Sequence, residues 1–222
     1  PNRYDQYVQD HVNKFVDAHN HAQYLPWHRA HLRDVAKSLQ AIDPSISHLY
    51  WDWAYDYQVP DASIVFSPAY FGGNGNPNDG YCVTDGFFAG WKPNVNKGCI
   101  SRRFNRDEHI WPLTSWEKLR NSIFPSTDSQ KFGSMIEEAG IYVEMGGGEL
   151  FEIELNVNDP LYFLHHAFID KLWADWQKMS EDRATAYGGI NPGNKSAAKT
   201  DVVGYGYRVD DVMDTRKLCY EY

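Results

Sequence analysis

His11, His19 and His28 stand close together near the N-terminus, and the residues around them constrain how the chain must turn. Tyr4, Tyr7, Val8, His11, Val12, Phe15 and Val16 repeat with the helical period, which predicts a helix over 3–18 with His11 on its buried face. Asn20-His21-Ala22-Gln23 breaks that pattern. Pro26 suits the start of a second helix over 27–41, ended by Asp43-Pro44, with His28 in its first turn. Three imidazoles gathered by such a pair read as half of a metal site, because histidine supplies neutral nitrogen ligands that suit copper and zinc.

A second histidine cluster follows Asn158-Asp159-Pro160. A helix from Pro160 to Met179 is predicted there, with Asp159 as its N-cap and His166 and Asp170 four apart on one face. That offset suits a metal-facing His166 steered by a carboxylate, with His165 packed beside the site. A further helix is expected over 129–143, stopped by Gly146-Gly147-Gly148. His48 and His109 read as isolated surface or core residues, and His21 and His31 as solvated loop and helix positions.

The 222 residues, 42% of them hydrophobic, suffice for one sizeable core, so a single domain over 1–222 is expected. A net charge of −9 argues against a nucleic-acid partner, which needs a basic footprint. No apolar run reaches the roughly 18 residues of a membrane span. A small molecule is the expected partner, and the aromatic content of 15% suits a flat aromatic one. Oligomeric state and localisation stay open. Residues 58–108 hold most of the Gly, Pro and Asn and read as a long loop wrapping a helical core, while 201–222 read as an extended closing segment. Cys82, Cys99 and Cys219 match no zinc or redox spacing. A Cys82–Cys99 disulfide across the Gly-rich loop and three unpaired thiols both stand as readings.

Several segments occur in a telling order. His11, His19 and Tyr24-Leu25-Pro26-Trp27-His28-Arg29 are followed by Tyr50-Trp51-Asp52-Trp53, then by Tyr81-Cys82-Val83-Thr84-Asp85-Gly86 and Cys99-Ile100-Ser101-Arg102-Arg103-Phe104. Asp159-Pro160 through His166, Asp170-Lys171-Leu172-Trp173 and the closing Tyr220-Glu221-Tyr222 complete the series. Through nearly the whole chain this resembles the tyrosinase, catechol oxidase and mollusc-haemocyanin group of type 3 copper proteins, and the two cysteine segments look like its fungal members. The resemblance implies a mainly α fold: an antiparallel four-helix bundle of the tyrosinase type, with long wrapping loops and few short strands. It also implies that residues 1–222 are the metal-binding catalytic domain, without the extra N-terminal helix and C-terminal lid that family members often carry.

The departure lies at the second metal site. The family places two histidines four apart on the helix before the glycines, where this chain reads Gly140 and Glu144. No histidine occurs between His109 and His165, so of three second-site ligands only His166 remains. Asp17 stands where some copper members carry the cysteine of a thioether crosslink, which neither supports nor excludes copper. Three imidazoles with an open position are the ligand set of a catalytic zinc, although copper binds the same nitrogens. The expectation is therefore one Zn2+ per chain held by His11, His19 and His28, with Glu144 and His166 as the catalytic acid and base. A fungal offshoot of the superfamily, cyclopenase, is similar in replacing dicopper oxidation with a zinc-dependent rearrangement, that of cyclopenin to viridicatin. A lyase or rearrangement enzyme of aromatic secondary metabolism is thus the leading reading. A phenol or catechol oxidase with one or two coppers, and a non-catalytic haemocyanin-like metal- or ligand-binding protein, are the alternatives.

Overall fold

The computed structural model describes residues 2–95, 98–140 and 145–222. The first helix, α1, runs Arg3–Ala18 as the apolar spacing predicts. Val16 departs from that stripe and is 66% exposed. At 3.6 residues per turn it lies about 140° around the helix from His11, whereas Tyr7, Val8 and Phe15 all lie within about 60°. Helix α2 spans Tyr24–Gln40 and so begins earlier than expected from Pro26. Proline is tolerated throughout a first turn, whose N–H groups have no intrahelical acceptor, so Pro26 marks the neighbourhood of the helix start and not its first residue. His28 accordingly sits in the second turn.

After α2 the chain makes 3-10 turns at Pro60–Ala62, Ile64–Phe66 and Pro77–Asp79 before the strand β1, Arg102–Arg103. A short helix α3, Trp116–Lys118, continues as a π-helical turn through Ile123, and α4 spans Ser129–Glu138. The helix expected to reach 143 thus stops at Glu138, Ala139 and Gly140 lie in a turn, and residues 141–144, Glu144 among them, lie outside the described residues. Strand β2 (Gly147–Gly148) precedes α5 (Leu161–Lys178) and α6 (Glu181–Ala184). A hairpin of β3 (Ile190–Asn191) and β4 (Lys195–Ser196) follows, and the closing segment over 201–222 holds β5 (Val202–Gly204), β6 (Tyr207–Arg208) and α7 (Val209–Val212), then a 3-10 turn, Thr215–Leu218. It is not the extended strip that was expected. Asp211 accepts a hydrogen bond from the Arg208 N–H and Asp214 accepts from the Arg216 N–H, so short polar residues start the helical turns. No helix among the described residues is long and apolar enough to cross a membrane.

Two compact units divide the chain. One comprises residues 1–13, 51–116 and 139–165, and the other 14–50, 117–138 and 166–222. In the first, β1 pairs antiparallel with β2, Arg102 opposite Gly148. Gly148 is required there: its φ is +84°, and a Cβ would sit 2.5 Å from the Ser101 carbonyl oxygen. Arg102 and Asp159 are fully buried and joined by two bonds, from Nε to Oδ2 at 2.5 Å and from Nη2 to Oδ1 at 2.9 Å. Asp159 Oδ1 also accepts from the Leu161 N–H at 3.0 Å, the cap that the sequence predicts for this helix. Further donors of Arg102 reach the carbonyls of Phe71 and Gly72, so one guanidinium ties the long loop to the start of α5. Cys82 and Cys99 form a disulfide that closes the same loop, which decides between the two cysteine readings, and Cys219 is free and exposed.

In the second unit, Arg29 of α2 is fully buried and donates to Asp170 of α5 at 2.5 Å. Phe132 of α4 stacks on Trp176 of α5 with ring centroids 4.8 Å apart, and the Trp176 indole N–H donates to the Ser126 carbonyl at 2.7 Å. Each burial of a side chain this large contributes about 1.5–3 kcal/mol before cavity terms.

Candidate metal centre

His11 comes from α1, His19 from the residue just past its C-terminus and His28 from α2, and all three rings are buried. One ligand nitrogen from each lies within 4.8 Å of the other two; among the described residues this is the group of three or more histidine, cysteine or carboxylate side chains able to hold a metal ion. The fit to a metal shows in what the other ring nitrogens do. His11 Nδ1 lies 3.1 Å from the Glu154 carbonyl oxygen, His28 Nδ1 2.7 Å from the Tyr24 carbonyl oxygen, and His19 Nδ1 2.7 Å from Glu137 Oε1. These oxygens can only accept, so each Nδ1 carries the proton, and Nε2 is the nitrogen that each ring can offer a metal. Three buried imidazoles, each oriented by a bond at Nδ1, suit zinc or copper.

Glu137 was not among the residues singled out from the sequence. Besides holding His19, its carboxylate accepts the Asn20 backbone N–H at 3.0 Å, which pins the turn that ends α1. Glu137→Gln keeps the shape but weakens the acceptor. It is expected to lower metal affinity about 10–100-fold while leaving the helices intact, measured by competition with a chromophoric chelator. Unchanged affinity would show that the carboxylate does not tune the site.

His166 is fully buried and stacks on His28, centroids 4.1 Å apart and planes 8° apart, so the structure brings this predicted residue against one ring of the histidine triad. Asp170 does not serve as its steering carboxylate in the way the four-residue offset suggested. Oδ1 is taken by Arg29, and Oδ2 accepts from the hydroxyls of Tyr220 at 2.6 Å and Tyr222 at 2.8 Å. The offset places the two on one helix face, but a buried guanidinium competes for the carboxylate with a full charge. His31 also differs from expectation. It is fully buried, stacked on Trp27 at 4.9 Å, with Nδ1 2.7 Å from the Tyr205 hydroxyl. The β5–β6 hairpin that supplies Tyr205 lies 174 residues away and covers what reads locally as a solvated helix position. His109 is an exposed residue whose ring bonds Asp61.

His165 is buried near Trp53, ring centroids 6.0 Å apart, and burial pushes its pKa down to about 3. In the unfolded chain it regains an ordinary value near 6.5. Between those values the unfolded state binds the extra proton, so stability present above pH 6.5 is lost as the pH falls towards 3. In metal-free protein the pH slope of unfolding free energy should exceed that of His165→Gln by about one proton, or roughly 1.4 kcal/mol per pH unit. Parallel slopes would refute it.

A mainly helical fold holding three buried, tautomer-locked imidazoles defines a histidine-ligated metalloprotein. The family described as the common central domain of tyrosinase matches residues 1–179. Tyrosinase ustQ of Aspergillus flavus is 32% identical over 231 aligned positions, covering 92% of this chain and 64% of that protein, so the chain spans a little under two thirds of this relative's length. Among solved structures, a polyphenol oxidase variant from Thermothelomyces thermophila superposes with a TM-score of 0.73 at 22% identity, covering 99% of this chain and 77% of that one. A functional unit of octopus hemocyanin gives 0.60 at 20% identity, covering 93% and 53%. The chain belongs to the tyrosinase family, and it shares its fold with the hemocyanin unit.

Proposed function

We propose that this chain is a one-metal enzyme acting on a small aromatic molecule, and that its reaction is a non-oxidative, zinc-assisted rearrangement or lyase step of the cyclopenin-to-viridicatin type. The observation that carries the reading is the contrast between the two halves of the site. One histidine triad is complete, while the positions aligned with the missing second-site ligands hold Gly140 and Glu144. Held by these three imidazoles, zinc would supply Lewis acidity towards a carbonyl or epoxide oxygen without any change of redox state. His11, His19 and His28 supply the neutral nitrogens, with Glu137 strengthening His19 through its Nδ1 proton. His166 takes up or returns a proton at its ring beside His28, and Glu144 is its acid–base partner. Opening of the substrate's own strained spiro-epoxide drives the ring contraction once a proton has been moved, and the excised ring atoms leave as a small neutral fragment.

A second reading, oxidation of phenols or catechols with one or two coppers, is supported by the names of the relatives, a tyrosinase and a polyphenol oxidase. The deciding measurement is metal identity and stoichiometry by plasma mass spectrometry on protein purified without added metal, alongside turnover of cyclopenin-type benzodiazepinediones and of catechols. One zinc per chain with rearrangement of the first substrate class is the expected result. Two coppers per chain with catechol turnover would replace the proposal by the second reading, and bound metal without turnover of either class would leave a haemocyanin-like binding protein.

A further inference from the structure

The sequence holds one Asn-x-Ser/Thr triplet with no proline in the middle, Asn194-Lys195-Ser196. Such a triplet is an acceptor for N-linked glycan where it lies on the surface of a chain folded in the secretory pathway. Both conditions have independent support. Asn194 ends the three-residue loop Pro192-Gly193-Asn194 of the β3–β4 hairpin, whose register pairs Ile190 with Ser196 and Asn191 with Lys195. Asn194, Lys195 and Ser196 are all exposed. Asn194 has φ +62° after Gly193 at φ +74°, a left-handed turn that asparagine accepts more readily than other side-chain-bearing residues. In another part of the chain, the Cys82–Cys99 disulfide marks an oxidising folding compartment, since such bonds are rare where thiols are kept reduced.

The hairpin can also present the triplet. It is two-stranded, with two residue pairs, and hairpins of that size open at little cost. Its base is fixed. Ile190 accepts from the Ala22 N–H at 3.2 Å and donates to Gln130 Oε1 at 3.0 Å, and Asn191 donates to Asp201 at 2.8 Å. A bulky group on the tip therefore need not disturb the hairpin's anchorage to the segment after His19.

The geometry points to Asn194 as an N-glycosylation site, the acceptor for an oligosaccharide carried on a polyisoprenyl diphosphate. In the transfer, Asn194 Nδ2 forms a bond to the anomeric carbon while the bond from that carbon to the diphosphate oxygen breaks. The lipid diphosphate leaves with the electron pair, the amide gives up one proton and no oxidation occurs. A glycan here adds a solvated group to a surface that the metal site does not use.

The test is expression of the full chain through a yeast secretory pathway, followed by peptide mass spectrometry across residue 194 and electrophoresis before and after amidase removal of N-glycans. The expected result is a glycopeptide at Asn194 and a single downward mass shift on digestion. Asn194→Gln and Ser196→Ala should lose the shift, and Ser196→Thr should keep it, with metal content unchanged in all three. Ser196→Ala leaves the left-handed asparagine in place, so loss of the glycan there reports acceptor chemistry and not a damaged turn. Secreted chain with the Cys82–Cys99 disulfide closed and Asn194 unmodified would overturn the assignment, as would a shift that survives Ser196→Ala.

Discussion

His28→Ala is expected to empty the metal site and reduce turnover to background while the chain keeps its helices. The imidazole supplies one of three nitrogens within 4.8 Å of one another, is held at Nδ1 by the Tyr24 carbonyl and forms the platform on which His166 stacks. Loss of a ligand should weaken metal binding by more than the roughly 10–100-fold assigned to Glu137→Gln, because a direct bond is lost and not merely its orientation. The stabilisation that metal confers should vanish with it. At free metal 100-fold above Kd, the wild-type chain gains about 2.7 kcal/mol, and the variant should gain nothing. His109→Ala, at a ring 68% exposed, is the control and should match wild type in metal content, stability and turnover. A His28→Ala chain that retained stoichiometric metal and full turnover would remove the site from these three residues.

Much of this centre was legible because its parts are local. The period of Tyr4, Tyr7, Val8 and Phe15 set the face of α1 that carries His11, and the break at Asn20–Gln23 marked the turn between His19 and α2. Asp159 before Leu161 announced the start of α5 and with it the depth of His166. What was not legible depends on chain segments far apart in sequence. Glu137 reaches His19 across 118 residues, and nothing in Glu137-Glu138 at the end of α4 distinguishes a carboxylate that holds His19 from a solvated helix end. His31 reads as solvated until the hairpin bearing Tyr205 covers it. Asp170 shares a helix face with His166, but periodicity cannot say which of several donors wins a carboxylate. The winner is Arg29, on α2, which follows His28 in sequence and is seated over the Trp173 ring at 3.6 Å.

Asp170→Ala is expected to cost about 3–5 kcal/mol, the range for removing one partner of a buried ion pair. Burial alone would lower the Arg29 pKa, yet the adjacent carboxylate raises it overall, so the guanidinium remains charged inside the protein. Its other contacts, Gln177 at 3.0 Å and the Val212 carbonyl at 3.0 Å, carry no compensating charge. The same substitution leaves two phenols without their acceptor. Burial and the Asp170 charge hold Tyr220 and Tyr222 well above the ordinary tyrosine pKa, so both stay protonated and donate. Through them Asp170 fastens the C-terminal Tyr-Glu-Tyr to α5, while Arg29 fastens α2, the helix of His28, to the same point. Asp170→Asn should cost less, because its amide oxygen still accepts from a hydroxyl although the charge is gone. Replacing the pair together, Arg29→Met with Asp170→Leu, should cost less than Asp170→Ala alone, since no unpaired charge remains buried. Urea unfolding midpoints for the four proteins test this order. A loss below about 1 kcal/mol for Asp170→Ala would place the pair among exposed ion pairs of little worth and leave the C-terminal fastening to apolar contacts.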